Sequence, residues 1–133
     1  MKNLRVYFLL SFLVISGIAF AQSAQTEVLY FKADLPCCPA RACNRLESNI
    51  QSLIEKNFPN GNVVFREVKI SDTIHAELVE HFDAKSQTVV IVRDRFLLKD
   101  VELDISDIVA QYARSRNREE IEAEIVQKIQ SVL

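Results

Sequence analysis

The run Thr88-Val-Val-Ile-Val92 constrains this chain more than any other segment. Its five consecutive β-branched residues favour an extended backbone. With no polar alternation among them, such a strand suits the middle of a sheet covered on both faces. The chain should therefore carry helices above and below that sheet, and the flanking sequence supplies them. Glu27 to Phe31 reads as a short buried strand and Val63 to Ile70 as a second. Between them Leu46, Ile50, Leu53 and Ile54 repeat at helical spacing, and that helix should end near Phe58-Pro59-Asn60-Gly61. Ser71 or Asp72 can cap another helix, with Ile74, Leu78, Val79 and Phe82 as its buried face.

After the central strand, Arg93-Asp94-Arg95 makes a tight connection to Phe96 to Leu103, its expected antiparallel neighbour. Two helical patterns close the chain. One is carried by Ile105, Ile108, Val109 and Tyr112. The other starts at Asn117, with Glu120 as capping-box partner, and buries Ile121, Ile125, Ile129 and Val132. Strands alternating with helices, then a closing hairpin and helices, argue for a three-layer α/β domain.

The first twenty-one residues have a different character. Lys2 and Arg5 precede an apolar stretch from Val6 to Phe20, and Ala19-Phe20-Ala21 matches the small-x-small pattern of a signal-peptidase site. That stretch is short of the ~20 residues that span a bilayer. Residues 1–21 are thus expected to be a signal peptide and 22–133 the folded domain, exported to the periplasm or secreted, with no stable membrane span once the leader is cleaved. No cysteine follows the apolar stretch directly, which argues against a lipid-anchored form.

Composition removes several function classes. The only glycines are Gly17 and Gly61, so no glycine-rich phosphate cradle exists and no cofactor is expected. A formal charge of −2 argues against nucleic acid as a partner. His75 and His81, six residues apart on one helix, do not share a face as a metal pair would, and read as surface or half-buried side chains. Asp100, Glu102 and Asp104 alternate with Val101, Leu103 and Ile105, as on a half-exposed strand, and lack the glycine of a calcium loop. Arg114, Arg116 and Arg118 could bind an anion, but contact with a helix C-terminus is the preferred reading.

The chemistry concentrates in Cys37-Cys-Pro-Ala-Arg-Ala-Cys43, between the first strand and the first helix. A thiol at a helix N-terminus meets unpaired N–H groups and the positive end of the helix dipole, which favour the reactive thiolate. Arg41 and Arg45 add positive charge. If the helix began at Pro39, Cys38 and Cys43 would lie roughly 8 Å apart along it, beyond the ~7 Å limit for a disulfide. Pairing Cys43 with Cys37 or Cys38 therefore requires Pro39 to Ala42 to be a loop. A vicinal Cys37–Cys38 bridge would be strained. Three thiolates could instead converge on a soft ion such as Cu(I), or on arsenite. One structural disulfide with a leftover thiol is the third possibility.

The element order, with cysteines between first strand and first helix, resembles the thioredoxin-like superfamily. Four words, Glu27-Val-Leu-Tyr-Phe31, Asn60-Gly-Asn-Val-Val-Phe65, Ile70-Ser-Asp72 and Tyr112-Ala-Arg-Ser115, are similar in order to one of its families. That family is the small exported ArsF family, named for a nitrophenyl-compound nitroreductase subunit. The resemblance implies a four-stranded mixed sheet between helices and thiol–disulfide exchange with a protein thiol or disulfide partner. It places Leu46-Glu47 on the family's Ile-Glu, and hence Cys43 on the second cysteine of a Cys-x-x-Cys motif. By the same pattern Cys37 or Cys38 would attack and Cys43 would resolve. The alternatives are a thiolate carrier of soft metal or metalloid, with Cys37, Cys38 and Cys43 as ligands, and a non-catalytic redox-complex subunit. Two departures stand out: Ser86-Gln87-Thr88 occupies the place of the thioredoxin cis-proline, and no tryptophan precedes the motif.

Overall fold

The computed structural model describes residues 25–35, 37–93 and 100–133, and of residues 37–40 the backbone alone. The expected leader and the Asp94–Lys99 part of the expected hairpin lie outside the described residues. The elements are β1 (Thr26–Lys32), α1 (Cys37–Asn57), β2 (Val63–Lys69), a 3₁₀ turn (Thr73–His75) leading into α2 (Ala76–His81), β3 (Val89–Arg93), β4 (Val101–Asp104), α3 (Ser106–Arg114) and α4 (Arg118–Gln130). Among the described residues no helix is long and apolar enough to cross a membrane.

The strands form a four-stranded sheet in the order β2-β1-β3-β4. β1 and β2 are parallel, with Val28 opposite Phe65 and Phe31 opposite Val68. β3 runs antiparallel to β1, placing Val89 beside Tyr30, and β4 antiparallel to β3, placing Leu103 beside Ile91. Parallel pairing of β1 with β2 needs a crossover, and α1 provides it. This is the thioredoxin-like α/β arrangement, a mixed sheet between two helical layers.

The two central strands read as unbroken apolar runs because each is covered on both sides. Val28 and Tyr30 of β1, with Val89 and Ile91 of β3, face Leu46, Ile50, Leu53 and Ile54 of α1, Val109 and Tyr112 of α3 and Ile121, Ile125 and Ile129 of α4. Leu29, Phe31 and Val90 point the other way, where Leu78, Val79 and Phe82 form a thinner, half-buried cover. The turn between α1 and β2 passes through Gly61 at φ +72°, a left-handed conformation that costs an L-residue about 1 kcal/mol.

Two local expectations need correction. Ile74, assigned to a buried helix face, is 82% exposed. Asp72 does cap, accepting from the Ile74 N–H at 3.1 Å, but what it caps is a 3₁₀ turn. With three rather than 3.6 residues per turn, that turn breaks the phase linking Ile74 to Leu78. Asn117 makes no capping bond to the backbone of α4; its amide donates to the Glu120 carboxylate at 3.1 Å instead. Of the strand expected over Phe96 to Leu103, residues 96–99 lie outside the described residues, and the described part forms Val101–Asp104, antiparallel to β3 as expected.

Candidate functional site

The sheet topology brings several connections to one end. β1 and β2 finish there, at Lys32 beside Lys69, and the antiparallel β3 begins there. β1 has its parallel crossover partner β2 on one side and the antiparallel β3 on the other. The β1–α1 connection and residues 86–88 meet at this end, with the Gln87 N–H donating to the Phe31 carbonyl at 2.8 Å and the Phe31 N–H to Thr88 at 2.9 Å.

α1 begins at Cys37, so the backbone from Pro39 to Ala42 is helical rather than a loop. Pro39 is tolerated because it falls in the first turn, where its missing N–H has no intrahelical acceptor. At about 100° per residue, positions 37 and 38 lie about 100° apart around the axis, 38 and 43 about 140°, and 37 and 43 about 120°. The helix thus spreads its three cysteine positions around its circumference. The loop required for a bridge to Cys43 is not there, and Cys43 is a free thiol. Convergence of all three on one ion would likewise demand unwinding of the first turn and a half. Among the described residues no group of three His, Cys, Asp or Glu side chains is arranged to hold a metal.

Cys43 sits on the core side of α1 and is 4% exposed. Its Sγ accepts a hydrogen bond from the Gln87 side-chain amide at 3.1 Å. Gln87 reaches it from a left-handed backbone at φ 72°, held by the flanking hydrogen bonds to β1. No peptide bond among the described residues is cis, and this strained glutamine stands where the resemblance led one to look for proline. Sequence reading did not single out Gln87 as a site residue. Its positive φ and its contact across 44 residues leave no local periodic signal.

Beneath Cys43 lies a polar cluster that sequence reading also missed. The Tyr30 hydroxyl donates to the Cys43 carbonyl at 3.4 Å, and burial, with the nearby Cys43, Glu47 and Glu67, pushes its phenol well above the ordinary tyrosine range. The Lys32 ammonium lies 2.7 Å from Glu47 and 3.4 Å from Glu67. Burial and the Glu67 carboxyl raise the Glu47 pKa, while the hydrogen bond to Glu47 and the Lys32 charge hold Glu67 low. Hydrogen bonding to Glu47 raises Lys32 in turn. The cluster ties α1 to β1 and β2 directly below the turn that carries the cysteines.

The remaining sequence candidates separate from this site. His75 is half-buried and His81 exposed, with His81 Nε2 2.9 Å from Glu102 at the opposite sheet edge. Asp100, Glu102 and Asp104 are exposed, while Val101 and Leu103 are half-buried and Ile105 buried, as on a half-exposed strand. Arg114 Nε donates to the Ala110 carbonyl in the last turn of α3 at 3.1 Å, the helix-end contact expected. Arg118 differs: its guanidinium stacks 5.4 Å over the Tyr112 ring.

No protein-family model matches the chain, and no curated protein matches it. Among solved structures, a thioredoxin from Thermus thermophilus is similar at 19% identity and a TM-score of 0.46, over 81% of this chain and 73% of that one. A malarial protein is similar at 20% identity and a TM-score of 0.40, over 65% of this chain and 91% of that one.

Proposed function

We propose that this is an exported member of the thioredoxin-like superfamily, akin to the ArsF family, that performs thiol–disulfide exchange at the first turn of α1. The observation that carries the reading is the position of Cys37 and Cys38. They are the first two residues of a 21-residue helix whose first turn has no acidic side chain. Unpaired N–H groups and the helix dipole stabilise a thiolate there, worth about 0.3–1 kcal/mol for an exposed charge. Arg41, one turn further on, adds to that field.

The thiolate of Cys37 or Cys38 attacks one sulfur of a disulfide R–S–S–R′. A protein–S–S–R bond forms as the old S–S bond breaks, and R′S⁻ leaves to take a proton from solvent. A second thiolate, R″S⁻, then attacks the R sulfur, giving R–S–S–R″ and returning the protein thiolate. Oxidation state balances with no reductant beyond the incoming thiol. The burial of Cys43 and its angular separation favour this one-thiol route over the two-cysteine route in which Cys43 resolves. They equally disfavour a three-thiolate metal or arsenite carrier.

The test is turnover of a disulfide substrate by three single variants. Cys43→Ser is expected to keep wild-type rates within about twofold, whereas Cys37→Ser or Cys38→Ser loses at least tenfold. Loss of turnover in Cys43→Ser with retained folding would return the resolving role to Cys43. Full turnover in both first-turn variants would end the exchange reading.

A further inference from the structure

We infer that the crevice beside the first turn of α1 binds the carboxylate of a small cysteine-containing peptide; this deepens the thiol-exchange reading and rests on it for the chemistry. A cavity of about 180 Å³ opens between α1, residue 87, α3 and the start of α4. Its lining includes Ala42, Arg45, Asn49, Gln87, Tyr112 and Arg118, and no acidic residue. Arg45 and Arg118 form no ion pair among the described residues. The carboxylate next to Tyr112, that of Glu122, accepts from the Tyr112 hydroxyl at 3.1 Å. The Arg118 guanidinium is oriented by its stacking on Tyr112. Two positive forks and an amide-bearing Asn49 around a recess fit a carboxylate, which arginine recognises in bidentate geometry.

The recess is smaller than the roughly 300–1,000 Å³ typical of whole-ligand pockets, so it suits a charged head group. Helical phase indicates where the rest of the ligand goes. Positions 38, 42, 45 and 49 fall within about 60° of one another around α1, so Cys38 continues the stripe of Ala42, Arg45 and Asn49 toward the helix start. Position 37 lies about 100° off that stripe. Along the axis Cys38 is about 6 Å from Ala42 and about 10 Å from Arg45. At roughly 3.3–3.6 Å per extended residue, a di- or tripeptide spans that distance between sulfur and carboxylate. A two-carbon mercaptoacid falls short.

The test uses S-methylglutathione, a carboxylate-bearing peptide whose thioether cannot exchange, titrated into the reduced protein and followed by NMR. Saturable binding is expected, at least fivefold weaker in Arg45→Gln and in Arg118→Gln and unchanged in Arg66→Gln, which lies on β2. Absence of saturable binding, or equal affinity in all variants, overturns the inference. A second arm compares labelling of Cys38 by glutathione disulfide and by neutral hydroxyethyl disulfide. At least fivefold faster labelling by the anionic reagent, lost in Arg45→Gln, supports the assignment. Equal labelling by both in every variant overturns the pocket and leaves exchange standing. Arginine-dependent binding without any labelling at Cys37 or Cys38 keeps the pocket and removes the exchange reading.

Discussion

The two faces of the sheet differ in how much holds them. One is covered by α1, α3 and α4, whose side chains Ile50, Val109, Ile125 and Ile129 are wholly enclosed. The other is covered mainly by the six-residue α2, which contains no buried residue and whose Leu78 and Val79, with Phe82 just after it, are half-buried. The cysteine-bearing helix and the crevice beside it belong to the thick layer. Stability and site geometry are therefore coupled on that face and nearly independent on the other. Substitutions of similar chemistry should show this by their size.

The largest effect is expected at Ile50, 0% exposed in the core between α1 and the sheet. Ile50→Ala should cost about 3–4 kcal/mol in denaturant unfolding, by lost burial plus the cavity left behind. Phe82→Ala on the thin face removes a larger but half-exposed side chain and should cost only about 1–2 kcal/mol. A smaller loss at Ile50 than at Phe82 would reverse the ranking of the layers.

Next comes the ion cluster that binds α1 to the sheet. Lys32→Met leaves Glu47 and Glu67 facing each other, and should destabilise by about 1–2 kcal/mol at pH 7. The folded pKa of Glu47 is already raised by burial and by Glu67, so its ionised form is less favourable in the fold than in the unfolded chain. That penalty is present above the unfolded carboxylate pKa and fades as pH falls through the raised folded value. The difference between variant and wild type should therefore shrink toward about pH 4–5, seen as converging unfolding midpoints. A difference that grows on acidification would contradict the assignment.

Gln87→Ala is expected to have a small effect on stability, below about 1 kcal/mol, since it removes one hydrogen bond while leaving the backbone in place. Its larger consequence is chemical: alkylation of Cys43 in the native protein should accelerate severalfold once the amide no longer covers the sulfur. Smallest of all, Ile74→Ser should change stability by no more than about 0.5 kcal/mol, because the side chain is already in water.

The layered fold was legible because it is written in local periodicity. The Thr88–Val92 run gave a doubly covered strand, and the spacing of Leu46, Ile50, Leu53 and Ile54 gave α1. Ile74 was misplaced because a 3₁₀ turn shifts the phase that the periodicity argument assumed. The start of α1 was set too late because a bridge to Cys43 requires Pro39 to Ala42 as a loop, whereas Pro39 in a first turn interrupts nothing and the helix runs from Cys37. Gln87 and the Lys32–Glu47–Glu67 cluster were invisible for a different reason. Their contacts join residues 15 to 44 positions apart, and only the folded sheet brings them together.

The central claim is that α1 separates its cysteines into a reactive first turn and a shielded Cys43. Thiol mapping of the native reduced protein, by timed alkylation and peptide mass analysis, tests it most directly. The expected result is rapid modification within Cys37–Cys38, with Cys43 untouched until the protein unfolds, and after mild oxidation no bridge to Cys43. A native Cys37–Cys43 or Cys38–Cys43 disulfide, or Cys43 alkylated as fast as its neighbours, would contradict it.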